Sequence, residues 1–457
     1  MNSSIIQLVP MIQFCAQFNA QCLEQLLRAV VASELPQLKN LKITHLSDPS
    51  INPELLSEAV VRLEEFALTM SGLSTDQHRA ILDRIVDTED LRLKRLFGRK
   101  EFLSNIFEIP ADIRMKAAVR LECTDIVFLR SPQERVDWYK FVAESPIMNL
   151  KRMVIEGAAS HVPFNVLAAA LTRVEDVRAG DFPADQSIAL LKLAGSEDSK
   201  LKKLEIIRCD LSGISPDIWE EAIVSLKRID FLNYTNLTPD QLQRIFTTIA
   251  NCESLKLTEL RIYDGNISSV PADVLAKAIP RLESIELRRT NLTPNQAQHL
   301  FTKIADCENL KLTELEVFWN NLSSVSADVL AKAISRVKTV DLLSTDLTPK
   351  QVQRIFQMIA NCENLKLTEL QIGWTNLSSV SADVLAKAIS RVETVYLINT
   401  DLTPKQVQRI FQKIANCENL KLTKLHIDPN NLSSVPEDVL AKAKSRLDFV
   451  FCNEGSL

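Results

Sequence analysis

Glycine is scarce in this sequence: nine residues in 457, each standing alone. Glycine-rich loops that cradle phosphates therefore have no counterpart here. Neither the GxxxxGK[ST] motif of nucleotide-binding proteins nor the GxSxG turn of hydrolases occurs. The five histidines are far apart in the sequence and form no metal-spaced pair. The sequence thus predicts a protein that is not an enzyme, with no catalytic residues, no metal and no cofactor.

Long apolar runs and an excess of one charge are also missing. No stretch of about 18 apolar residues could span a membrane. The net charge of −5 gives no electrostatic basis for binding nucleic acid. The N-terminus lacks a basic region, and Gln7, Pro10, Gln13 and Gln17 interrupt its apolar stretch, which does not fit a signal peptide. We expect a cytoplasmic monomer that binds neither nucleic acid nor membranes.

Four of the nine cysteines recur every 55 residues, namely Cys252, Cys307, Cys362 and Cys417. In a stacked array, equivalent thiols two units apart would be about 10 Å from one another, which is too far for a disulfide. We interpret them as small buried apolar side chains in a reducing compartment.

A 55-residue unit recurs almost verbatim from residue 255 onward, with LKLTEL at 255, 310 and 365 and LKLTKL at 420. Each unit contains two copies of the pattern LxxLxLxx(N/T)xL, which is the strand-and-turn signature of leucine-rich repeats. The alternating apolar positions predict a strand with one buried face. The Asn or Thr of the pattern can hydrogen-bond the turning backbone. One copy is filled by Leu312, Leu315, Val317, Asn320 and Leu322, and the next by Val337, Val340, Leu342, Thr345 and Leu347.

The remainder of each half predicts a helix. Thr403 is a suitable N-cap, Pro404 suits the first helical position, and Gln406 completes a capping box. Apolar residues at helical spacing follow, which predicts a helix face packed on the strands. These are Val407, Ile410, Phe411 and Ile414 in one half, and Val329, Leu330, Ala333 and Ile334 in the other.

Together these elements predict an α/β leucine-rich-repeat solenoid, a horseshoe with parallel strands on the concave face and helices on the convex face. We expect about 16 repeats with strand centres near 41, 66, 96, 126, 153, 177, 204, 229, 260, 285, 315, 340, 370, 395, 425 and 450. Residues 1–36 are predicted to form a helical cap, 37–200 divergent repeats, and 201–457 regular repeats with no evident C-terminal cap.

Two alternating helix-bearing repeat types make the sequence resemble the ribonuclease-inhibitor-like class of leucine-rich repeats, closely over 201–457 and loosely over 38–200. The class includes ribonuclease inhibitors, sensor tails of NOD-like immune receptors and the Ran GTPase-activating protein. The resemblance implies an intracellular horseshoe that binds proteins. It leaves open a Ran-type GTPase activator or an immune-receptor sensor tail as alternatives to a non-enzymatic scaffold.

Comparing the repeats with one another indicates where a partner would bind. Residues 310–364 and 365–419 differ at nine positions, eight of them in strand segments. Exposure alone does not explain this concentration, because predicted exposed helix residues such as Lys332, Gln353 and Arg354 are identical to their counterparts. We interpret the pattern as a diversified concave face; free drift of an exposed surface is the simpler alternative.

Aromatic residues occupy the same predicted outward positions, and exposed aromatics are typical interface anchors. Trp319 and Trp374 are expected to flank Ser344 and leave a slot between their rings; mutual packing of the aromatics is the alternative. A rim of mixed charge should surround them. The sequence therefore predicts a protein or peptide ligand bound by Arg261, Tyr263, Asp264, Glu286, Arg288, Arg289, Glu316, Phe318, Trp319, Asp341, Ser344, Trp374, Tyr396 and His426.

Overall fold

The computed structural model describes residues 11–14, 20–44, 51–69, 73–98, 108–124, 131–156, 162–233 and 235–451. The chain divides into two compact units. The first runs to Phe182 and includes Glu197–Leu204, and the second comprises Pro183–Ser196 and the chain from Glu205 onward. Within the described residues, no helix is both long and apolar enough to cross a bilayer.

In the first unit, strands and helices alternate along the chain. Strands β1 to β5 form a parallel sheet in chain order, and β6 pairs in parallel with β7. The strands are β1 (Met11–Phe14), β2 (Asn40–Thr44), β3 (Glu65–Thr69), β4 (Arg95–Gly98), β5 (Cys123–Thr124), β6 (Arg152–Glu156) and β7 (Asp176–Gly180). The helices are α1 (Ala20–Val31), α2 (Pro53–Val61), α3 (Thr75–Asp87), α4 (Ala111–Ala118), α5 (Pro132–Glu144) and α6 (Phe164–Leu171).

The second unit continues the alternation with greater regularity. Its strands follow one another in chain order, and neighbouring strands from β9 to β17 pair in parallel. They are β8 (Lys203–Ile207), whose first two residues belong to the first unit, β9 (Arg228–Leu232), β10 (Glu259–Tyr263), β11 (Ser284–Arg288), β12 (Glu314–Glu316), β13 (Thr339–Asp341), β14 (Glu369–Gln371), β15 (Thr394–Leu397), β16 (Lys424–Ile427) and β17 (Asp448–Phe451). Long helices α9 (Pro239–Asn251), α11 (Pro294–Asp306), α13 (Pro349–Asn361) and α15 (Pro404–Asn416) alternate with short ones, α8 (Pro216–Ser225), α10 (Ala272–Ala278), α12 (Ala327–Ile334), α14 (Ala382–Ile389) and α16 (Glu437–Lys444). Helix α7 (Ala184–Gly195) precedes them.

The leucine pattern fills the space between the strands and the helices. Leu315 and Val317 of one repeat are 0% exposed, as is Phe356 of helix α13. Asn320 binds the turning backbone as expected: its Nδ2 donates to the carbonyl of Leu287 at 2.7 Å, and its Oδ1 accepts from the amide of Thr290 at 3.2 Å. The predicted fold class is confirmed, since the chain is a leucine-rich-repeat solenoid.

Each long helix is tied to the preceding repeat by a buried glutamine. The Nε2 of Gln351 donates to the carbonyls of Leu322 and Val325, each at 2.7 Å, and its Oε1 accepts from the amide of Thr348 at 2.8 Å. Gln241, Gln296 and Gln406 repeat this arrangement. In the first unit, Gln77 likewise donates to the carbonyl of Ile51 at 2.8 Å. The glutamine predicted only as a capping-box residue therefore also joins neighbouring repeats.

An arginine after each of the short helices α10, α12, α14 and α16 makes the reciprocal link. Arg336 Nη1 donates to the carbonyls of Ile304 and Ala305 at 3.1 and 2.6 Å, at the C-terminus of long helix α11. These carbonyls lack partners within their own helix, so the arginine satisfies them. Arg281, Arg391 and Arg446 do the same in the other repeats, and Arg173 does so in the first unit.

Three expectations, at the two ends and in the middle of the chain, need correction. The predicted helical cap over 1–36 is wrong for Met11–Phe14, which form strand β1 with Ile12 opposite Leu41. This strand covers the edge of β2, whose backbone groups would otherwise be unpaired. In β5, Thr124 lies opposite Leu96, so the strand centre is two residues earlier than the expected 126. At the last strand, Phe449 rather than residue 450 lies opposite Leu425.

The recurring cysteines differ from the prediction in burial. Cys252, Cys307, Cys362 and Cys417 are free thiols, but they are half-buried rather than buried. Each is the residue that follows a long helix, and its carbonyl accepts from the arginine of the next repeat. Their position at helix ends explains why they are only partly covered.

Candidate functional site on the strand face

The strand face of the second unit consists of the side chains that point away from the helices. The strand register aligns one residue of each strand into a row across the sheet, which we call the middle row. Each of its members lies between the alternating apolar residues that point into the core. The row runs Asp230, Arg261, Glu286, Glu316, Asp341, Gln371, Tyr396 and His426.

The third residue beyond each middle-row residue except His426 has a left-handed backbone. Trp319 and Trp374 both have φ of 57°, and Asp264, Arg289, Ser344 and Asn399 share this conformation. Bulky residues seldom adopt it, and it persists only where the surrounding structure imposes it. Here the imposing contact recurs, because the amides of Trp319 and Trp374 each donate at 3.0 Å to a carbonyl of the next repeat. The repeat backbone therefore fixes where these two indoles leave the sheet.

Around Trp319, five side chains form what we call the Arg–Trp cluster: Tyr263, Arg288, Arg289, Phe318 and Trp319. The guanidinium carbon of Arg289 lies 3.8 Å from the centroid of the Trp319 ring, and that of Arg288 lies 4.3 Å from it. Arg288 is also 5.3 Å from the rings of Tyr263 and Phe318. Cations over aromatic faces at these distances attract the rings electrostatically. The cluster is thus a pre-formed cationic and aromatic patch.

Three carboxylates stand side by side in the middle row, and we call Glu286, Glu316 and Asp341 the acidic row. Arg261 Nε pairs with Glu286 Oε2 at 3.2 Å, and Tyr263 also hydrogen-bonds Glu286. Burial nevertheless raises the pKa of Glu286. Burial, followed by the charges of Glu286 and Asp341, raises the pKa of Glu316 to about 7. Burial likewise raises the pKa of Asp341 to about 6. The charges of Arg261 and Arg288 do not offset the burial of three neighbouring carboxylates.

These raised values predict a pH-dependent stability that the substitution Glu316→Gln should remove. Glu316 holds its proton more tightly in the folded chain than in the unfolded one, so unfolding releases protons between about pH 4 and 7. Stability should therefore fall as pH rises through this window. At pH 8, Glu316→Gln should raise the free energy of unfolding by roughly 1–2 kcal/mol, and at pH 4 it should change little.

Urea unfolding of both chains at pH 4, 6 and 8 measures this effect. The control is Glu308→Gln, which removes a carboxylate exposed to solvent at a helix end. A variant that loses stability at pH 8 would show that the folded protein favours the charged form of Glu316.

Beyond the acidic row, the strand face is aromatic. Tyr396 and His426 stack with ring centroids 3.9 Å apart and planes 14° apart. Burial lowers the pKa of His426. Trp374 is 59% exposed, because the side chains that cover Trp319 have no equivalent around it. Leu343 and Ser344 stand at the positions of Arg288 and Arg289. Gly373 stands at the position of Phe318. The two tryptophans thus share a backbone position but differ in how far they are covered.

The structure brings most of the predicted site residues together, with two corrections. The expected slot flanking Ser344 does not fit the packing of Trp319, which lies against Arg288 and Arg289, on the side away from Ser344. The expected exposed rim is also wrong in part. Glu286, Asp341 and His426 are only 4%, 8% and 9% exposed, since side chains of adjacent strands cover one another. Mutual packing, the alternative reading, is found for Phe318 with Trp319 and for Tyr396 with His426.

Sequence reasoning missed several charged residues that border this surface. Asp230 is 3% exposed and accepts from Arg228 Nε and Nη2 at 2.9 and 2.7 Å. Glu314 and Glu369 lie on either side of Thr339, one on each neighbouring strand. The charge of Glu314 helps to raise the pKa of Glu316, and that of Glu369 helps to raise the pKa of Asp341. Because these two glutamates are identical in the 55-residue units, a search for differences between units could not find them. Their outward strand position was the available signal.

Comparisons with known proteins add little to this description. No protein-family model matches the sequence, and no curated protein matches it. Among solved structures, the complex of Rad7 and Elc1 in yeast is similar over 78% of this chain and 96% of that chain, with a TM-score of 0.43 and 13% identity. The assignment of the fold rests on the strands, helices and leucine pattern of this chain itself.

Proposed function

We propose that this protein is a non-enzymatic scaffold or sensor that binds a protein or peptide through the strand face of its second unit. The observation that carries the proposal is Trp374, an indole 59% exposed that the backbone holds out of the sheet, two strands away from Trp319 of the Arg–Trp cluster. Exposed aromatics beside arginines are typical of the residues that dominate protein–protein binding energy.

The helix side of the same unit supports this by contrast. Its charged residues pair with one another in a repeating pattern: Lys332 with Asp306 at 2.8 Å, Arg354 with Asp328 at 2.5 Å, and Arg409 with Asp383 at 2.5 Å. The strand face instead changes from repeat to repeat. Variation is therefore concentrated where aromatic side chains lie free of the helices, which favours a specific partner surface over drift.

We further propose membership of the ribonuclease-inhibitor-like class of leucine-rich repeats and a cytoplasmic location. The alternation of 13-residue helices with helices of 7–10 residues supports the class. The four repeat cysteines, Cys252, Cys307, Cys362 and Cys417, are free thiols, which supports a reducing compartment. We also propose that the protein is a monomer, because a single chain leaves its whole strand face accessible to a partner.

Removing both tryptophans tests the proposed function. After affinity capture and mass spectrometry have identified a partner, the purified partner is titrated against the full chain and against Trp319→Ala/Trp374→Ala. Two anchor residues lost together should weaken binding by about 100-fold or more. Lys332→Ala on the helix side is the matched control and should bind normally.

Circular dichroism of all three chains establishes that the helices are intact. Equal affinity of the double tryptophan variant and the parent chain would contradict the proposal. Stimulated GTP hydrolysis by a small GTPase partner would instead favour the Ran-type activator.

A further inference from the structure

We infer that the bound segment presents an acidic side chain, a carboxylate of Asp or Glu, to Arg288 and Arg289. This inference rests on the proposed function, because it names the chemistry of the partner at the Arg–Trp cluster. Two observations support it: aromatic rings hold the two guanidinium groups in place, and their N–H donors have no acceptor within the described part of the chain.

The faces of both guanidinium groups are occupied, but their edges are not. Arg289 stacks at 3.8 Å and Arg288 at 4.3 Å from the centroid of the same Trp319 ring, and Arg288 is also close to Tyr263 and Phe318. A guanidinium group is planar and carries five N–H donors around its edge. Contact with the rings therefore restricts each group, while the N–H donors around its edge stay available to a ligand.

Other arginines of this unit use their donors within the protein. Arg336 donates to helix-end carbonyls, Arg354 to Asp328 and Arg228 to Asp230. Within the described part of the chain, the structure gives the guanidinium groups of Arg288 and Arg289 no hydrogen-bond acceptor. Asp264 Oδ1 is 4.0 Å from Arg289 Nη1, beyond hydrogen-bond distance, and Arg288 acts on the nearby Glu286 through its charge without a hydrogen bond. Two pre-oriented cations without acceptors match one carboxylate, which accepts paired hydrogen bonds from arginine.

The neighbouring charges limit how much negative charge the partner can bring. Glu316 and Asp341 lie in the adjacent part of the middle row, and the chain as a whole carries a charge of −5. A nucleic-acid backbone or a phosphate would meet repulsion from these carboxylates. A single carboxylate on a peptide whose apolar side chains cover Trp374 fits the local charge better. We therefore assign the occupant as a protein segment with one Asp or Glu at its centre.

A displayed library of random 12-residue peptides, sorted on the full chain, provides a defined probe. The selected peptides should share an Asp or Glu and should lose binding to Trp319→Ala/Trp374→Ala. Arg288→Gln/Arg289→Gln should bind them about tenfold or more weakly. Arg354→Gln, which removes an arginine of the helix side, is the matched control and should bind them normally. Thermal unfolding of each variant checks that the fold is retained.

A double-mutant cycle locates the contact. Replacing the shared Glu by Gln in the peptide should weaken binding to the parent chain about tenfold and should have little further effect on Arg288→Gln/Arg289→Gln. Arg288→Lys/Arg289→Lys keeps the charge but loses the planar, stacked donors, so it should recover only part of the affinity. Independent, additive losses in the cycle would overturn the inference.

The remaining outcomes separate this inference from the proposed function. Peptides that need the tryptophans but share no acidic residue would overturn the inference and leave the proposed function standing. Peptides indifferent to the tryptophan variant would count against the proposed function itself. A peptide with phosphoserine in place of the shared Glu is the last comparison. If it binds more than tenfold tighter than the Glu peptide, the anion is a phosphate and the assignment to a carboxylate is overturned.

Discussion

Replacing Phe356 by alanine should lower the free energy of unfolding of the second unit by about 3–5 kcal/mol, the usual cost of removing a buried phenylalanine from a core. The ring is 0% exposed and lies on the inner face of helix α13. Phe246, Phe301 and Phe411 hold the equivalent place in the other long helices and are also 0% exposed, so the neighbouring repeats have little room to close the cavity. Urea unfolding followed by circular dichroism measures the loss.

Gln353→Ala is the matched control for Phe356→Ala, because Gln353 is exposed on the same helix. A surface change of this kind should stay within about 0.5 kcal/mol of the parent chain. A loss below about 1 kcal/mol for Phe356→Ala would contradict the close packing between helices and strands that the structure shows.

Gln351→Ala should have the second-largest effect, a loss of roughly 2–4 kcal/mol, although the side chain removed is polar. The amide of Gln351 satisfies the carbonyls of Leu322 and Val325 and the amide of Thr348. Leu322 and Val325 are 0% and 3% exposed, so water cannot easily replace the lost donor. An unsatisfied buried group costs its full desolvation, which is why the loss exceeds that of an ordinary hydrogen bond.

The substitution Gln351→Glu separates this effect from simple loss of volume. At pH 8 a carboxylate would face two carbonyl oxygens, so the variant should be at least as unstable as Gln351→Ala. Acidification should restore part of the stability, since a protonated carboxyl can donate one hydrogen bond. Urea titrations at pH 5 and pH 8 measure the difference. Equal stability of Gln351→Glu and the parent chain at pH 8 would exclude the link between repeats.

The strands and helices of the second unit could be predicted from the sequence because their signals are local. Leu315 and Val317 alternate with outward residues, and Thr348, Pro349 and Gln351 carry a complete helix start. The signals were weaker in the first unit. Strand β1 was missed because four residues, Met11–Phe14, cannot show a period clearly, and only the parallel pairing with β2 decides their conformation.

The chemistry of the strand face could be predicted only in part. The sequence located Trp319, Arg288 and Arg289 on one face, but their stacking depends on side-chain directions in three neighbouring repeats. The burial of Glu286 and Asp341 could not be predicted either, because an outward strand position does not reveal how far neighbouring side chains cover the residue. The period of a strand determines which face of the sheet a residue lies on, whereas contacts with side chains of neighbouring strands determine how far that residue is exposed.

The reciprocal links between repeats restrict how an array of this kind can change its length. The glutamine of a long-helix repeat needs the loop of a short-helix repeat before it, and the arginine of a short-helix repeat needs the end of a long helix before it. Deleting or inserting a single repeat would place two repeats of the same kind next to each other. The loop carbonyls bound by the glutamine and the helix-end carbonyls bound by the arginine would then lose their hydrogen-bond donors. Growth or shrinkage should therefore proceed by whole 55-residue pairs, the interval that separates Gln296 from Gln351. Each added pair would carry three further left-handed positions, as Trp319, Ser344 and Asp346 do in one unit, so the recognition surface would grow in fixed steps.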